Sequence, residues 1–312
     1  MRTKKKGLVH EIFRCFIKSE QFTLKEAYEA VPDKPHETIR ARIYDHLGVM
    51  FERVGKGVYT AVRDGFACAV IEGDGRDLSM LEDSSVDCII TDHPWLDPVS
   101  NKGGNRAFSQ YPCFNYTQQD FNEKARVLKQ GCFLAEFIPA ENENNFEYLY
   151  QMKRMALEAG FEYYCKVAWK KGKFVSNTGR KAKNTQEIMI FTMGKARCLR
   201  PDVKRSKALG VETFMSGARG MLPAMFDVEP VPQKNRIHQA ELPVSLCEKL
   251  LEFLTEEGEV ILDPFAGSGS VGVAAMKRHR NSILIEVVHE YVEMIVKRME
   301  SLGIARVQTI PA

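Results

Sequence analysis

The sequence predicts an α/β fold built on a parallel sheet, with a small helical module ahead of it. Three observations carry that expectation. Apolar runs of strand length (Val86 to Ile90, Val260 to Leu262, Ile283 to Ile285) end abruptly at acids, as buried parallel strands do at the ligand-binding rim of open α/β sheets. Segments of helical period alternate with these runs. Residues 1–65 lack such runs and read as helices followed by a hairpin.

Size and composition bound the answer. A chain of 312 residues buries one large core, or one large and one small. Its 44% hydrophobic and 27% charged residues are those of an ordinary globular protein, and the net charge of +3 matters less than its distribution. The eight cysteines form no C-x-x-C pair, which argues against a zinc ribbon or redox motif and for reduced thiols; no metal site is expected. Met1-Arg-Thr-Lys-Lys-Lys precedes no apolar h-region and no run approaches the ~20 residues that span a bilayer, so the expected location is the cytoplasm.

In residues 1–65, Leu8, Val9, Ile12, Phe13, Phe16 and Ile17 make one apolar helical face. Thr23 and Glu26 form a capping-box pattern for a helix from Leu24 to Val31. A third helix runs from His36 to Leu47 with Ile39, Ile43 and Leu47 as its buried stripe. Two β-prone runs around Gly55-Lys56-Gly57 then form a hairpin. Three helices and a hairpin resemble a winged helix-turn-helix, whose third helix enters the major groove while the wing touches the backbone. With 13 basic and 9 acidic residues the module carries +4, and Arg40, Arg42, Tyr44 and Lys56 are its candidate nucleic-acid contacts. A winged helix used for protein contacts is the alternative.

Residues 66–164 begin with a strand ending in Gly73-Asp74, a short helix around Leu78 to Leu81, and the strand that ends in Asp92-His93-Pro94-Trp95. A carboxylate, a stiff turn and an indole at a strand end suit a flat ring bearing an amino group: Asp92 accepts from the amino group and Trp95 stacks on the ring. Asp74 and Asp92 are expected as neighbours on one rim, though either could simply cap a turn. The stretch from Leu96 to about Tyr116 lacks periodicity and reads as a lid whose aromatic surface is Phe108, Tyr111, Phe114 and Tyr116. Pro112-Cys113 matches the nucleophile pair of enzymes that methylate cytosine at ring carbon, but it lies in a loop without their other motifs. Helices over Phe121–Leu128 and Phe146–Ala159 alternate with strands over Cys132–Ile138 and Phe161–Trp169.

Between Cys165 and Gly210 there are 13 basic residues against 2 acidic ones, a local +11 that far exceeds the whole-chain value. Such a patch beside a catalytic rim is the footprint of polyanion binding; Lys171, Lys173, Arg180, Lys181 and Lys183 are its candidate contacts. Within residues 237–312, His238 and Pro243 lead into a helix over Val244–Leu254. A strand then opens into Asp263-Pro264-Phe265-Ala266-Gly267-Ser268-Gly269-Ser270, a helix follows, and Ser282 to Glu286 is a strand ending in an acid. Gly267-x-Gly269-x-x-Gly272 also satisfies the dinucleotide fingerprint, with Glu286 at roughly the ribose-binding distance. The Asp-Pro-Phe-Ala prefix is foreign to that fingerprint. Asp263 and Phe265 suit the cationic tail and adenosyl group of S-adenosylmethionine better.

Together the Asp263–Ser270 loop, the Ile285-Glu286 strand end, the approach from His238 to Pro243, Gly73-Asp74 and the Asp-x-Pro-aromatic tetrad resemble the β-class amino-methyltransferases of DNA, over about residues 66 to 300. The resemblance implies a seven-stranded doubly wound (Rossmann-like) sheet with one antiparallel strand. It divides residues 66–312 into a catalytic half (66–164), a basic DNA-binding and target-recognition segment (165–236) and a cosubstrate half (237–312). By position, Asp263, Pro264, Phe265, Gly267, Gly269 and Glu286 would hold S-adenosylmethionine, with Asp74 and His238 assisting. Asp92, His93, Pro94 and Trp95 would form the catalytic tetrad; Asp92 and the His93 carbonyl would accept the hydrogens of a flipped base's amino group during direct in-line transfer. The family usually has proline where this chain has His93. An acidic first tetrad position more often accompanies adenine N6, and serine cytosine N4. The expectation is therefore an adenine-specific methyltransferase acting on double-stranded DNA, monomeric or homodimeric, with a cognate restriction enzyme as candidate partner. Cytosine-N4 or RNA amino methylation, and a DNA-binding regulator with a degenerate domain, are the alternatives.

Overall fold

The computed structural model of the chain describes residues 8, 12, 15, 16, 19, 21–44, 47, 51–61, 66–95, 113–173, 184–197, 199, 221–238, 240–302 and 307–311. The chain divides into two compact units, Met1–Ala67 with Glu300–Val307, and Cys68–Met299 with Gln308–Ala312.

In the first unit, β1 (Phe22–Thr23), α1 (Leu24–Ala30), α2 (His36–Tyr44), β2 (Phe51–Gly55) and β3 (Val58–Ala61) follow one another, and the three strands pair antiparallel in the order β1-β3-β2. Residues 8, 12, 15 and 16 of the expected first helix are helical; the rest of that helix lies outside the described residues. The capping box at α1 forms as read: Glu26 N–H donates to Thr23 Oγ1 at 3.3 Å and Thr23 N–H to Glu26 Oε2 at 2.7 Å. Ile39 and Ile43 are buried among Ile12, Phe22, Phe51 and Tyr59. Leu47, expected on the same stripe, is exposed, because α2 ends at Tyr44 and the helical period no longer aims it inward.

The second unit holds β4 (Cys68–Glu72), β5 (Val86–Thr91), α3 (Gln118–Val127), β6 (Leu128–Ile138), α4 (Phe146–Glu158), β7 (Phe161–Lys170), β8 (Thr185–Met193), β9 (Met225–Asp227), α5 (Val244–Leu254), β10 (Val260–Asp263), α6 (Ser270–Lys277) and β11 (Asn281–Glu286); α7 (His289–Ser301) and β12 (Val307–Pro311) follow. Among the described residues the large sheet has nine strands in the order β12-β4-β11-β10-β5-β6-β8-β7-β9. That is two more than the seven expected: β9 adds to the free edge of β7 through Ala168↔Met225, and β12 lies beside β4. β8 runs antiparallel to both neighbours, while β4, β11, β10, β5 and β6 pair in parallel.

Alternation along β5 builds both faces of the core. Cys88 and Ile90 pack with Leu246 and Leu250 of α5 and Ala274 of α6, and Ile89 packs on the other face with Phe121 of α3 and Leu149 and Met152 of α4; Val86 joins that second face because the register shifts between Val86 and Cys88. Burial on both faces explains why the strand reads as one continuous apolar run. The expected helix over Leu78 to Leu81 is instead a turn. The Arg126 guanidinium donates to the carbonyls of Leu78 and Leu81, both at 2.8 Å, which satisfies acceptors that a helix would otherwise use. No helix among the described residues is long and apolar enough to cross a membrane.

The turn after β4 meets the turn after β10. A Cβ on Gly75 would overlap the carbonyl oxygen of Pro264 and come within 2.9 Å of the Phe265 ring, so only glycine permits this approach. Gly75→Ala is expected to cost about 3 kcal/mol, the upper range for overpacking. Gly57→Ala, where a Cβ meets nothing within 4 Å, pays only for its φ of +73°. Urea denaturation of both variants checks this; equal costs would show that the Gly75 approach is not tight.

Candidate active site

Parallel register carries the acids to one rim. Glu286 pairs with Glu72 across β11 and β4, Asp263 with Leu284 across β10 and β11, and Ile261 with Cys88 across β10 and β5. Asp74, Glu286, Asp263 and Asp92 therefore all stand at the carboxyl ends of four neighbouring strands. Asp74 and Asp92 share the rim but are not neighbours as expected, because β11 and β10 lie between their strands. A cavity of about 620 Å³ covers this rim, lined on one side by Asp74, His238, Asp263 to Ser268 and Glu286, and on the other by Asp92 to Trp95, Trp169, Lys171, Gln186 and Arg236.

Three of these carboxyls are held in low-dielectric surroundings. Burial pushes Asp263 up to about 8, with the charges of Asp92 and Glu286 adding to the shift, although its Oδ1 accepts from Phe265 N–H at 3.1 Å. Burial pushes Asp92 up to about 7, opposed by the Trp95 indole, which donates to Oδ1 at 3.3 Å, and by the Lys171 charge. Glu286 is raised by burial while its two oxygens accept from Gly267 N–H at 2.8 Å and Val288 N–H at 2.9 Å. Three acids whose negative charge is costly around one cleft make a site that favours a cation.

The glycine loop shapes the same side. Gly267 and Gly269 take φ of +52° and +73°, and Gly269 begins α6. The His238 ring lies 3.5 Å from where a Gly267 Cβ would be; its Nδ1 accepts from Ala240 N–H at 3.2 Å, and burial lowers its pKa, so the neutral ring carries its proton on Nε2. Asp74 is exposed, and its Oδ1 accepts from Arg76 N–H at 3.0 Å, a turn-capping bond.

The His93 carbonyl, expected to face a target amino group, accepts Trp95 N–H at 2.8 Å, which leaves its second lone pair. The His93 side chain is closed off inside the protein: it is 1% exposed and bonded on both nitrogens, Nδ1 to Glu136 Oε1 at 2.8 Å and Nε2 to the Tyr148 hydroxyl at 2.9 Å. Pro94 accepts Phe114 N–H through its carbonyl at 3.0 Å, and Trp95 lines the cavity with its indole turned to Asp92. Tyr116, expected as lid surface, is buried, with its hydroxyl donating to Glu136 at 2.9 Å; Phe114 packs on Phe265 at 5.5 Å. Phe108 and Tyr111 lie outside the described residues. Cys113 lines the cavity.

The basic segment is partly spent on structure: Lys166 pairs with Glu187, Lys170 with Asp227 and Arg197 with Glu259. Lys171 lines the cavity, its ammonium 4.7 Å from the Trp169 ring, and Lys173 is exposed; Arg180, Lys181 and Lys183 lie outside the described residues. In the first unit Arg40, Arg42 and Tyr44 of α2 and Lys56 in the hairpin turn are all exposed. Sequence reasoning missed Gly75, Arg76, Gln186 and the buried Lys124–Glu136 pair (2.9 Å). A charge inside the apolar run Cys132 to Ile138 was the available signal for the last.

Among known proteins, the N6/N4 methyltransferase family model, described as DNA methylase, matches residues 86–297. The Type II methyltransferase M.BglI of Bacillus subtilis is 29% identical over 161 residues, which is 50% of this chain but only 44% of that protein; the chain thus matches less than half the length of this relative. M.HpaI of Haemophilus parainfluenzae is 26% identical over 231 residues, 72% of this chain and 71% of that one. The fold is shared with a candidate DNA modification methylase of Thermus thermophilus (TM-score 0.55, 17% identity, 79% of this chain and 100% of that one), a protein also solved in complex with S-adenosyl-L-methionine.

The raised acids carry a pH signature. Asp92 and Asp263 ionise near an ordinary 3.8 in the unfolded chain but only near 7 and 8 in the fold, so their protonated forms favour the fold at low pH and that advantage is lost as pH rises through this window. Asp263→Asn is expected to remove much of that loss, so its stability relative to the parent should grow from pH 5 to about 8. Urea denaturation across pH tests this; parallel curves would mean that Asp263 titrates normally.

Proposed function

The chain belongs to the N6/N4 DNA methylase family, and from that premise we propose that it methylates the N6 amino group of adenine in double-stranded DNA, using S-adenosylmethionine. The observation that carries this reading is that Asp92 and the Asp263–Ser270 loop open into one cleft, so a base and a methyl donor can meet there. The donor fits what the residues ask for: the three costly carboxyls favour a sulfonium and an ammonium, Phe265 offers a ring face, and Glu286 keeps lone pairs for hydroxyl groups. S-adenosylmethionine supplies an electrophilic methyl group on a sulfonium.

The chain's residues supply position and a proton acceptor. Asp92, ionised, accepts one hydrogen of the amino group, and the second lone pair of the His93 carbonyl accepts the other; this aims the nitrogen lone pair across the cleft. Transfer would break the methyl–sulfur bond to leave a neutral thioether and a positive nitrogen, and Asp92, whose raised pKa makes it a useful base near neutrality, would take that nitrogen's proton. Trp95 and the Lys171-capped Trp169 bound the space for a base out of its stack. The first unit reads as a winged helix that lends Arg40, Arg42, Tyr44 and Lys56 to DNA, with Lys171, Lys173, Arg180, Lys181 and Lys183 of the basic segment adding backbone contacts.

Purified protein given DNA and donor with a labelled methyl group is expected to label adenine, as read by nucleoside analysis and methylation-sensitive sequencing. Label on cytosine N4 would overturn the adenine assignment, and no label on any DNA would overturn the activity. Asp92→Ala should lower transfer by about 10³-fold or more while DNA affinity stays within about threefold. The kcat/KM profile should rise with pH through about 7 as Asp92 ionises, and Lys171→Met, which removes a neighbouring positive charge, should move that limb to higher pH. Arg40→Glu with Lys56→Glu should weaken DNA binding and flatten its salt dependence, leaving turnover at saturating DNA near the parent's; unchanged affinity would remove the first unit from DNA contact.

A further inference from the structure

His93 stands where the family's tetrad usually has proline, and its side chain is the hub of a closed network. Glu136, near the C-terminal end of β6 and fully buried, accepts from His93 Nδ1–H (2.8 Å), from the Tyr116 hydroxyl (2.9 Å) and from Lys124 Nζ (2.9 Å). A carboxylate can only accept, so Nδ1 carries the imidazole proton and Nε2 is an acceptor. The Tyr148 hydroxyl already accepts Tyr116 N–H at 3.0 Å and donates its own hydrogen to Nε2 at 2.9 Å. Both imidazole nitrogens are therefore satisfied with the ring neutral, and Lys124 balances the Glu136 charge. The Lys124 ammonium also lies 3.7 Å from the Tyr116 ring, and the Tyr116 ring packs tilted against the imidazole with centroids 3.9 Å apart.

The network joins three elements to one turn. β6 brings Glu136, α4 brings Tyr148, and the segment returning to α3 brings Phe114 and Tyr116, while His93 lies directly between Asp92 and Pro94. The same segment binds the turn from its other side, through Phe114 N–H to the Pro94 carbonyl at 3.0 Å.

We propose that His93 is a positioning residue: hydrogen bonds from its buried imidazole to Glu136 and Tyr148 hold the tetrad turn in the way a proline ring would hold it, and so fix where Asp92 and the His93 carbonyl face the target amino group. The inference rests on the methyl-transfer reading for its kinetic consequence but not for its structural one. Proline restricts φ of the residue it occupies; the imidazole achieves the restraint from outside the backbone, by anchoring the far end of the side chain. Because the restraint is made of hydrogen bonds, it can be removed in steps.

Three variants test it. In His93→Ala the anchor is gone, and kcat is expected to fall about 10²-fold, the cost of an ångström-scale misplacement, with donor and DNA dissociation constants within about threefold of the parent. In His93→Asn the side-chain amide keeps a donor where Nδ1–H lies, and kcat should recover by about tenfold over His93→Ala. In Tyr148→Phe only the bond to Nε2 and its relay to Tyr116 are lost, and kcat should fall by about tenfold. Independently of turnover, amide hydrogen exchange at Trp95 and Phe114 should quicken in His93→Ala and Tyr148→Phe and slow again in His93→Asn. If His93→Ala does not fold, the other two decide the matter. The inference is overturned if kcat stays within about threefold in every folded variant, if the loss lies wholly in donor binding, or if asparagine does no better than alanine. If the parent protein transfers no methyl group, the functional reading falls, and unchanged exchange at Trp95 and Phe114 would then sink the positioning role separately.

Discussion

Parallel pairing of β4, β11, β10 and β5 brings Asp74, Glu286, Asp263 and Asp92 to one rim, and the surrounding structure answers to the electrostatic cost of that arrangement. Backbone N–H groups of Phe265, Gly267 and Val288 turn toward the carboxyls, since fixed dipoles relieve a buried charge without supplying a counterion that would neutralise the site. The relief is incomplete, which leaves the cleft short of positive charge. A protein that must bind a cationic donor gains from stopping there, because a salt bridge at Asp263 would compete with the ligand.

Away from the cleft the same problem is solved fully. Glu136 is buried as deeply as Asp263, yet its pKa is lowered, because Lys124 and His93 lie against it. Asp120, with the Arg76 guanidinium bonded to both its oxygens at 2.8 and 3.1 Å, is lowered as well. The contrast separates acids paired within the fold from acids left unpaired at the cleft. The paired acids hold their charge; the cleft acids keep raised pKa values that a cation beside them would lower.

Much of this was legible in the sequence, and the physical reason is local. Apolar runs that stop at Asp92, Asp263 and Glu286 report their own burial and their own ends, and Thr23 with Glu26 reports its own cap. What escaped depends on partners distant in sequence. The strand state of Met225–Asp227 comes from the open edge of β7 and not from its own residues. The turn at Leu78–Leu81 is decided by Arg126, and the orientation of His93 by Glu136 and Tyr148. The basic segment was readable as charge but not as interface, because Lys166, Lys170 and Arg197 turn to acids within the fold.

The strand order has a consequence for how the chain is made. β10 and β11 sit between β4 and β5, although they follow them by more than 150 residues of sequence. During synthesis β4 and β5 emerge early and apolar; β6 follows soon to pair one edge of β5, but the partners of β4 and of the other edge of β5 do not yet exist. The rim can close only after residues 260–286 have left the ribosome, so the cleft is among the last features to form and its loop closures are long. A nascent chain in that interval exposes strand edges of the kind that aggregate. Conditions that protect the waiting strands (slower growth, lower temperature, or chaperone supply) are therefore expected to raise the yield of folded protein.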